Sequence, residues 1–127
     1  MITLIIYGTL PSLNNYTLAC RSHYIVGAKM KEDAEKIISA SILQQLKDVR
    51  FDGTVKLNFR WYEPNKKRDL DNICFAKKFI LDALVKNGTI KADGWKGVAG
   101  FTDDFFVDKE NPRIEVDIDW HDPSLPF

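Results

Sequence analysis

An α+β fold, with a small mixed sheet of about four strands and two helices packed on it, is predicted by three observations. Residues 55–61 and 114–120 alternate apolar and polar side chains with period two, the mark of half-buried strands. Residues 29–46 and 72–86 instead place apolar side chains at helical spacing. A chain of 127 residues has room for one hydrophobic core and little more, so all four segments are assigned to a single domain over residues 1–127.

Taken in order, residues 2–7 read as a first strand, closed by a turn-rich segment, 8–15, and a polar irregular stretch. The first helix carries Ala34, Ile37, Ile38, Ser41, Ile42 and Gln45 on one stripe, with Lys31, Glu32, Glu35 and Lys36 largely opposite. Phe51-Asp52-Gly53 breaks it. In the next strand Val55, Leu57, Phe59 and Trp61 alternate with Lys56, Asn58 and Arg60, and Pro64-Asn65 ends the run. The second helix stops at Asn87-Gly88, a common helix terminator. The four glycines between residues 88 and 100 predict a long flexible loop or a loose hairpin. Residues 101–107 and 113–120 complete the sheet, with a turn at 109–112, and the order is β-α-β-α-β-β.

Composition excludes several classes. The 18 basic and 18 acidic residues cancel, unlike the balance of an arginine-rich binder. They are unevenly spread, however: residues 51–98 carry a net +4 and residues 99–127 a net −6. Two cysteines, Cys20 and Cys74, are too few for a disulfide scaffold, and Cys74 is expected as a buried reduced thiol. The opening MITLIIYG lacks the basic flank and cleavage site of a signal peptide, and no segment approaches the roughly 20 apolar residues of a membrane span. A soluble cytoplasmic protein is expected. No phosphate-binding, dinucleotide-binding, C-x-x-C or G-x-S-x-G motif is present, so no nucleotide cofactor is expected.

Three groups of residues bear on chemistry. In RDLDN, an extended Asp69-Leu70-Asp71 turns both carboxylates to one side, and paired carboxylates suit a hard cation such as Mg²⁺ or Mn²⁺. The plainer alternative makes Asp71 a helix N-cap and Asp69 a solvated acid. At about 100° per residue from Asp71, Lys78 falls near −20° and Lys77 near −120°, so Lys78 is the lysine expected to lean toward the acids. Asp82 lies too far along that helix to share a metal with Asp71, and at i, i+4 spacing it can pair with Lys78. Asp103-Asp104 interrupts an aromatic strand, and alternation lets only one of the two face a cleft. Glu115, Asp117, Asp119 and His121 look like a metal cluster, but the apolar row opposite them marks an ordinary strand with one wet face. His23 is left as a surface or loop residue.

The combination K-K-R-D-L-D-N, a following helix with Lys and I-L-D-A-L, and a strand with D-D-x-x-V resembles the RusA-type Holliday-junction resolvases. P-S-L-N-N-Y at residues 11–16 is also similar to that family. The resemblance implies a homodimeric, Mg²⁺-dependent endonuclease selective for four-way or branched DNA, made in a bacterial host cell and commonly by a phage or prophage. It maps the family's three acids onto Asp69, Asp71 and Asp104, and its helix lysine onto Lys78. The interval from Asp71 to Lys78 is seven residues where the family usually has four, and the loop before Asp103 is longer than expected. In this reading Lys66, Lys67 and Arg68 hold the DNA backbone. Lys91 and Lys96, flanking Trp95, hold phosphates while the indole stacks on an unpaired base, the alternative being that Trp95 folds back onto the body and caps the core. The alternatives are a branched-DNA binder that does not cleave, another D-x-D metal enzyme such as a nucleotidyl or glycosyl transferase, and a non-enzymatic scaffold.

Overall fold

The computed structural model describes residues 1–121, so the last six residues of the expected domain lie outside the described residues. Its elements are β1 (Ile2–Tyr7), α1 (Leu13–Ser22), α2 (Tyr24–Gln45), β2 (Val55–Glu63), α3 (Leu70–Cys74), α4 (Lys77–Lys86), β3 (Val98–Val107) and β4 (Arg113–Trp120). The expected α+β class and four-stranded mixed sheet hold, the order of elements along the chain is approximately the expected one, and the sheet runs β1-β4-β2-β3. β3 and β4 are consecutive in the chain but lie on either side of β2. β2 pairs with β4 antiparallel and with β3 in parallel. The parallel pair needs a crossover, which α3 and α4 supply.

All helices cover one face of the sheet. Leu4 and Ile6 of β1, Leu57, Phe59 and Trp61 of β2, and Ile114, Val116 and Ile118 of β4 form a buried layer beneath Ile38, Ile42, Phe79, Ile80 and Leu84. At the outer edge of β1, Gln45 closes off the free backbone, its amide accepting from Ile5 N (2.8 Å) and donating to Ile5 O (2.8 Å). At Ile5 the strand edge is thereby closed to further pairing.

Four local expectations change. The turn-rich and irregular stretch at 8–22 contains α1, whose N-cap Ser12 accepts a hydrogen bond from Asn15 N. α2 begins at Tyr24 rather than 29, because the His23 side chain caps it by accepting from Ile25 N (3.1 Å). β3 begins at Val98, three residues earlier than expected, so much of the glycine-rich loop is strand or is tied to the body by the Phe51–Ile90 bridge. The second helix is divided at Phe75–Ala76, with a consequence for the site described below.

The open face of the sheet carries a charge network. Arg60 pairs with Asp117 and with Glu115 (3.0 Å), and Arg113 pairs with Glu115 (2.8 Å) and Asp108 (2.8 Å). Glu115 and Asp117, which resemble a metal cluster in sequence, are thus neutralised across strands. The Arg60 hydrogen bond, assisted by Thr3, holds the Asp117 carboxyl below its ordinary value against the opposing effect of burial. Burial pushes Glu115 upward, and the bonds from Arg113 and Arg60 outweigh it, so its net shift is also downward. A carboxyl lowered by folding stabilises the fold above its unfolded pKa, and that stabilisation is lost as pH falls through the folded value. The urea midpoint should therefore decline below about pH 4. Asp117→Asn should flatten the decline while lowering the midpoint at neutral pH. An unchanged acid slope in that variant would remove Asp117 from this role.

Candidate active site

The site forms where β2 ends and the crossover to β3 begins. Glu63, the last residue of β2, is buried, and Arg68 grips it with a two-point fork, Nε to Oε1 (2.8 Å) and Nη2 to Oε2 (2.9 Å). The remaining arm of the guanidinium, Nη1, donates to Leu10 O (2.9 Å). Arg68, read from sequence as a DNA-backbone contact, is instead turned inward and anchors the loop that presents the acids. Lys66 and Lys67 in the same loop are exposed.

The D-L-D segment is not extended. Asp69 is the N-cap residue of α3 and Asp71 lies in its first turn. Both are exposed, and among the described residues neither enters an ion pair. The same-side argument for the two carboxylates, which requires a strand, does not apply to them.

Between α3 and α4 the hydrogen bonds tighten: Ala76 N to Ile73 O (3.3 Å), Lys78 N to Phe75 O (3.1 Å) and Phe79 N to Ala76 O (3.0 Å) are all i to i−3. Such a step turns about 20° more per residue than an α-helix, or about 60–80° over the three or four residues involved. Lys77, not Lys78, faces the sheet. Lys77 Nζ pairs with Asp103 Oδ2 at 2.6 Å, lies 3.7 Å from the centroid of the Phe101 ring, and its side chain is only 12% exposed. Lys78 is 59% exposed and pairs with Asp82 (3.1 Å), as its i, i+4 spacing predicts, and with Asp93 (3.4 Å).

The acid pair on β3 divides in the same manner. Asp103 registers with Phe59, on the helix-covered face, and accepts from Trp61 Nε1 (2.8 Å) as well as from Lys77. Asp104 registers with Arg60, on the open face, and is exposed. The structure therefore pairs Lys77 with Asp103, and leaves Asp104 and Lys78 outside that pair. The Cys74 thiol feels the charge of that pair. Burial first, then the Asp103 charge, raise its pKa, with a smaller contribution from Asp71, while Lys77 opposes them. The Lys77–Asp103 pair was not found from sequence because a straight helix was assumed. The i−3 turn has no marker in F-A-K-K that would have shown it.

Trp95 is 95% exposed, between the exposed Lys91 and Lys96. The turn that projects it is closed by bonds from Gly97 N (3.0 Å) and Val98 N (2.9 Å) to Gly94 O. At Gly97 an added Cβ would lie 1.9 Å from Ala92 O, so the turn admits no side chain there.

Carboxylates and a lysine set on a βαβ crossover, beside an exposed basic loop, describe a small α+β domain equipped for charged-substrate chemistry. The chain belongs to the endodeoxyribonuclease RusA family, whose model matches residues 10–119, and is by that membership a DNA endonuclease. No curated protein matches it. No helix among the described residues is long and apolar enough to cross a membrane.

The influence of the Asp103 charge on Cys74 can be measured. In a Cys20→Ser background, Cys74 should alkylate slowly at mildly alkaline pH, and Asp103→Asn should accelerate it. That change removes a negative charge and leaves the Lys77 ammonium uncompensated beside the thiol. An unchanged rate in the folded variant would place the Asp103 carboxylate away from Cys74.

Proposed function

We propose that the protein is a Mg²⁺-dependent endonuclease that resolves four-way or branched DNA junctions, with Mn²⁺ able to substitute. The observation that carries the reading is the Lys77–Asp103 pair, with the exposed Asp69 and Asp71 on the same crossover as Lys77 and next to the exposed Lys66-Lys67 loop. The donor chemistry suits the cation: Asp69 and Asp71 offer only oxygen atoms and are not neutralised by a basic side chain among the described residues. Asp69 and Asp71 would hold the ion, and Asp103, rather than Asp104, would position Lys77. When bound, the cation supplies a water of lowered pKa and charge neutralisation at the phosphate.

The side chains of the chain itself account for the remaining steps. Lys66 and Lys67 take the flanking backbone phosphates, a contact that is independent of sequence and weakens with salt. Lys77, desolvated against Phe101, keeps its ammonium fixed next to Asp103, where it can donate to a phosphate or leaving oxygen. Trp95 stacks on an unpaired base, with Lys91 and Lys96 on neighbouring phosphates. A two-fold homodimer would match the symmetry of a four-way junction. The setting that fits is the cytoplasm of a bacterial cell, as a phage or prophage product.

A second reading, a branched-DNA binder that does not cleave, is favoured by one observation. Among the described residues no three His, Cys, Asp or Glu side chains converge as a metal site. Labelled four-way junction with and without Mg²⁺, beside a linear duplex, separates the two readings. Metal-dependent cutting of the junction is expected, and binding without cutting would establish the binder.

On that substrate Asp69→Asn and Asp71→Asn should abolish cutting while binding survives. Asp103→Asn should be far more damaging than Asp104→Asn, and Lys77→Met than Lys78→Ala. The reverse ranking at saturating DNA would return the roles to Asp104 and Lys78. Trp95→Ala should weaken junction binding by about tenfold, the equivalent of one base–aromatic stack, and full affinity would rule the loop out as a contact.

A further inference from the structure

A groove of about 670 Å³ runs beside the acids, between α3 and the C-terminal half of β3. Its size falls within the range of small-molecule sites. One wall is Leu70 and Ile73 of α3, the other Phe105, Phe106 and Val107 of β3, and Lys66 lies at its margin. Asp69 and the locked Glu63–Arg68 pair also line it, so the groove is continuous with the site of the proposed chemistry.

The lining matches one kind of ligand. Aromatic and aliphatic walls with polar groups at the margin accept a flat heteroaromatic ring, and Lys66 complements an anion attached to that ring. The Phe105 wall is held in place, since it registers with Trp61 on the helix-covered face and packs against the hydrophobic core. A fixed aromatic wall loses little freedom when a ring seats against it. A base inside a continuous duplex reaches such a groove only by leaving its stack, at a cost of a few kcal/mol, and the cost is least where stacking is already interrupted.

We propose that this groove is a nucleobase site, which captures an unstacked base at the branch point and so provides selectivity for branched DNA over linear duplex. The inference rests on the junction-nuclease reading above and adds to it the element that recognises the branch. The groove selects against linear duplex through the energy of unstacking, while the lysines bind either form.

The test is a four-way junction carrying 2-aminopurine at successive branch-point positions, bound in chelator to wild type and to Val107→Trp. Val107 is half exposed, so the larger side chain can fill the groove without entering the core. With wild type, 2-aminopurine emission should change on binding at one or two positions. Val107→Trp should abolish that change and lower the junction-over-duplex preference about tenfold, with linear-duplex affinity retained. Leu70→Trp, which blocks the groove from the opposite wall at another exposed position, repeats the test should Val107→Trp not fold. A folded, blocked variant that keeps both the emission change and the preference overturns the proposal. A blocked variant that alters only the oligomeric state also overturns it, and assigns the groove to a second protein chain. Wild type that cuts the junction while blocking has no effect refutes the groove alone. Wild type with no preference for the junction removes the underlying reading as well.

Discussion

The candidate site depends on one buried ion pair. β2 runs out of the sheet at Glu63, and the acids stand only six residues further on, at the start of a five-residue helix that a loop cannot position by itself. Arg68 fixes this stretch from both sides, with a bidentate hold on Glu63 and a bond to Leu10 O in the segment after β1. Removing one partner of such a pair costs roughly 3–5 kcal/mol, chiefly because the other charge is left buried and unmatched. Its contribution here is as much geometric as energetic. The planar fork determines where Asp69 leaves the loop, and Lys with its single ammonium cannot reproduce three directed bonds. The groove has its Glu63–Arg68 lining from the same pair.

Much of the architecture was legible because it follows from side-chain alternation and from helical spacing. The strand 55–61, the wet face of β4 and the Asn87-Gly88 stop follow those patterns directly; Gly88 adopts φ 76°, the conformation in which a helix commonly ends. α1 was hidden because its outward side chains include apolar Leu13 and Leu18, so it has no clean polar face. Its one sequence signal was Ser12 set three residues before Asn15, a capping arrangement in a stretch otherwise resembling a turn. The start of β3 was hidden for a different reason. The strand lies at the sheet edge, where Gly100 and exposed residues erase the alternation.

At the site, the residue types were legible and the choice among neighbours was not. Lys77 and Lys78 differ by one position, as do Asp103 and Asp104, and either member of each pair could be chosen until backbone geometry is known. The wheel argument took Asp71 as its reference on a straight helix, whereas i to i−3 bonds interrupt the helix between Ile73 and Phe79 and the partner of Lys77 lies on β3. For β3 the deciding fact is parallel pairing with β2. Register with Phe59 sends Asp103 toward the helices, and register with Arg60 sends Asp104 to the open face. Neither fact is encoded within a few residues of the side chains it governs.

The distribution of charge gives the arrangement its directionality. Asp103 is matched by Lys77, Asp82 and Asp93 by Lys78, Glu63 by Arg68, and Asp117 by Arg60. An unmatched acid on an open surface costs nothing and says little, because water solvates it. Asp69 and Asp71 differ from such acids by their surroundings. They emerge beside Lys66 and Lys67 within the basic middle of the chain, where a polyanion would be drawn by those lysines and repelled by the acids. The two tendencies conflict unless positive charge is added at the acids themselves, and oxygen-only donors favour a hard divalent cation for that purpose. The dependence on metal proposed for this site thus follows from the same electrostatics that would bring DNA to it.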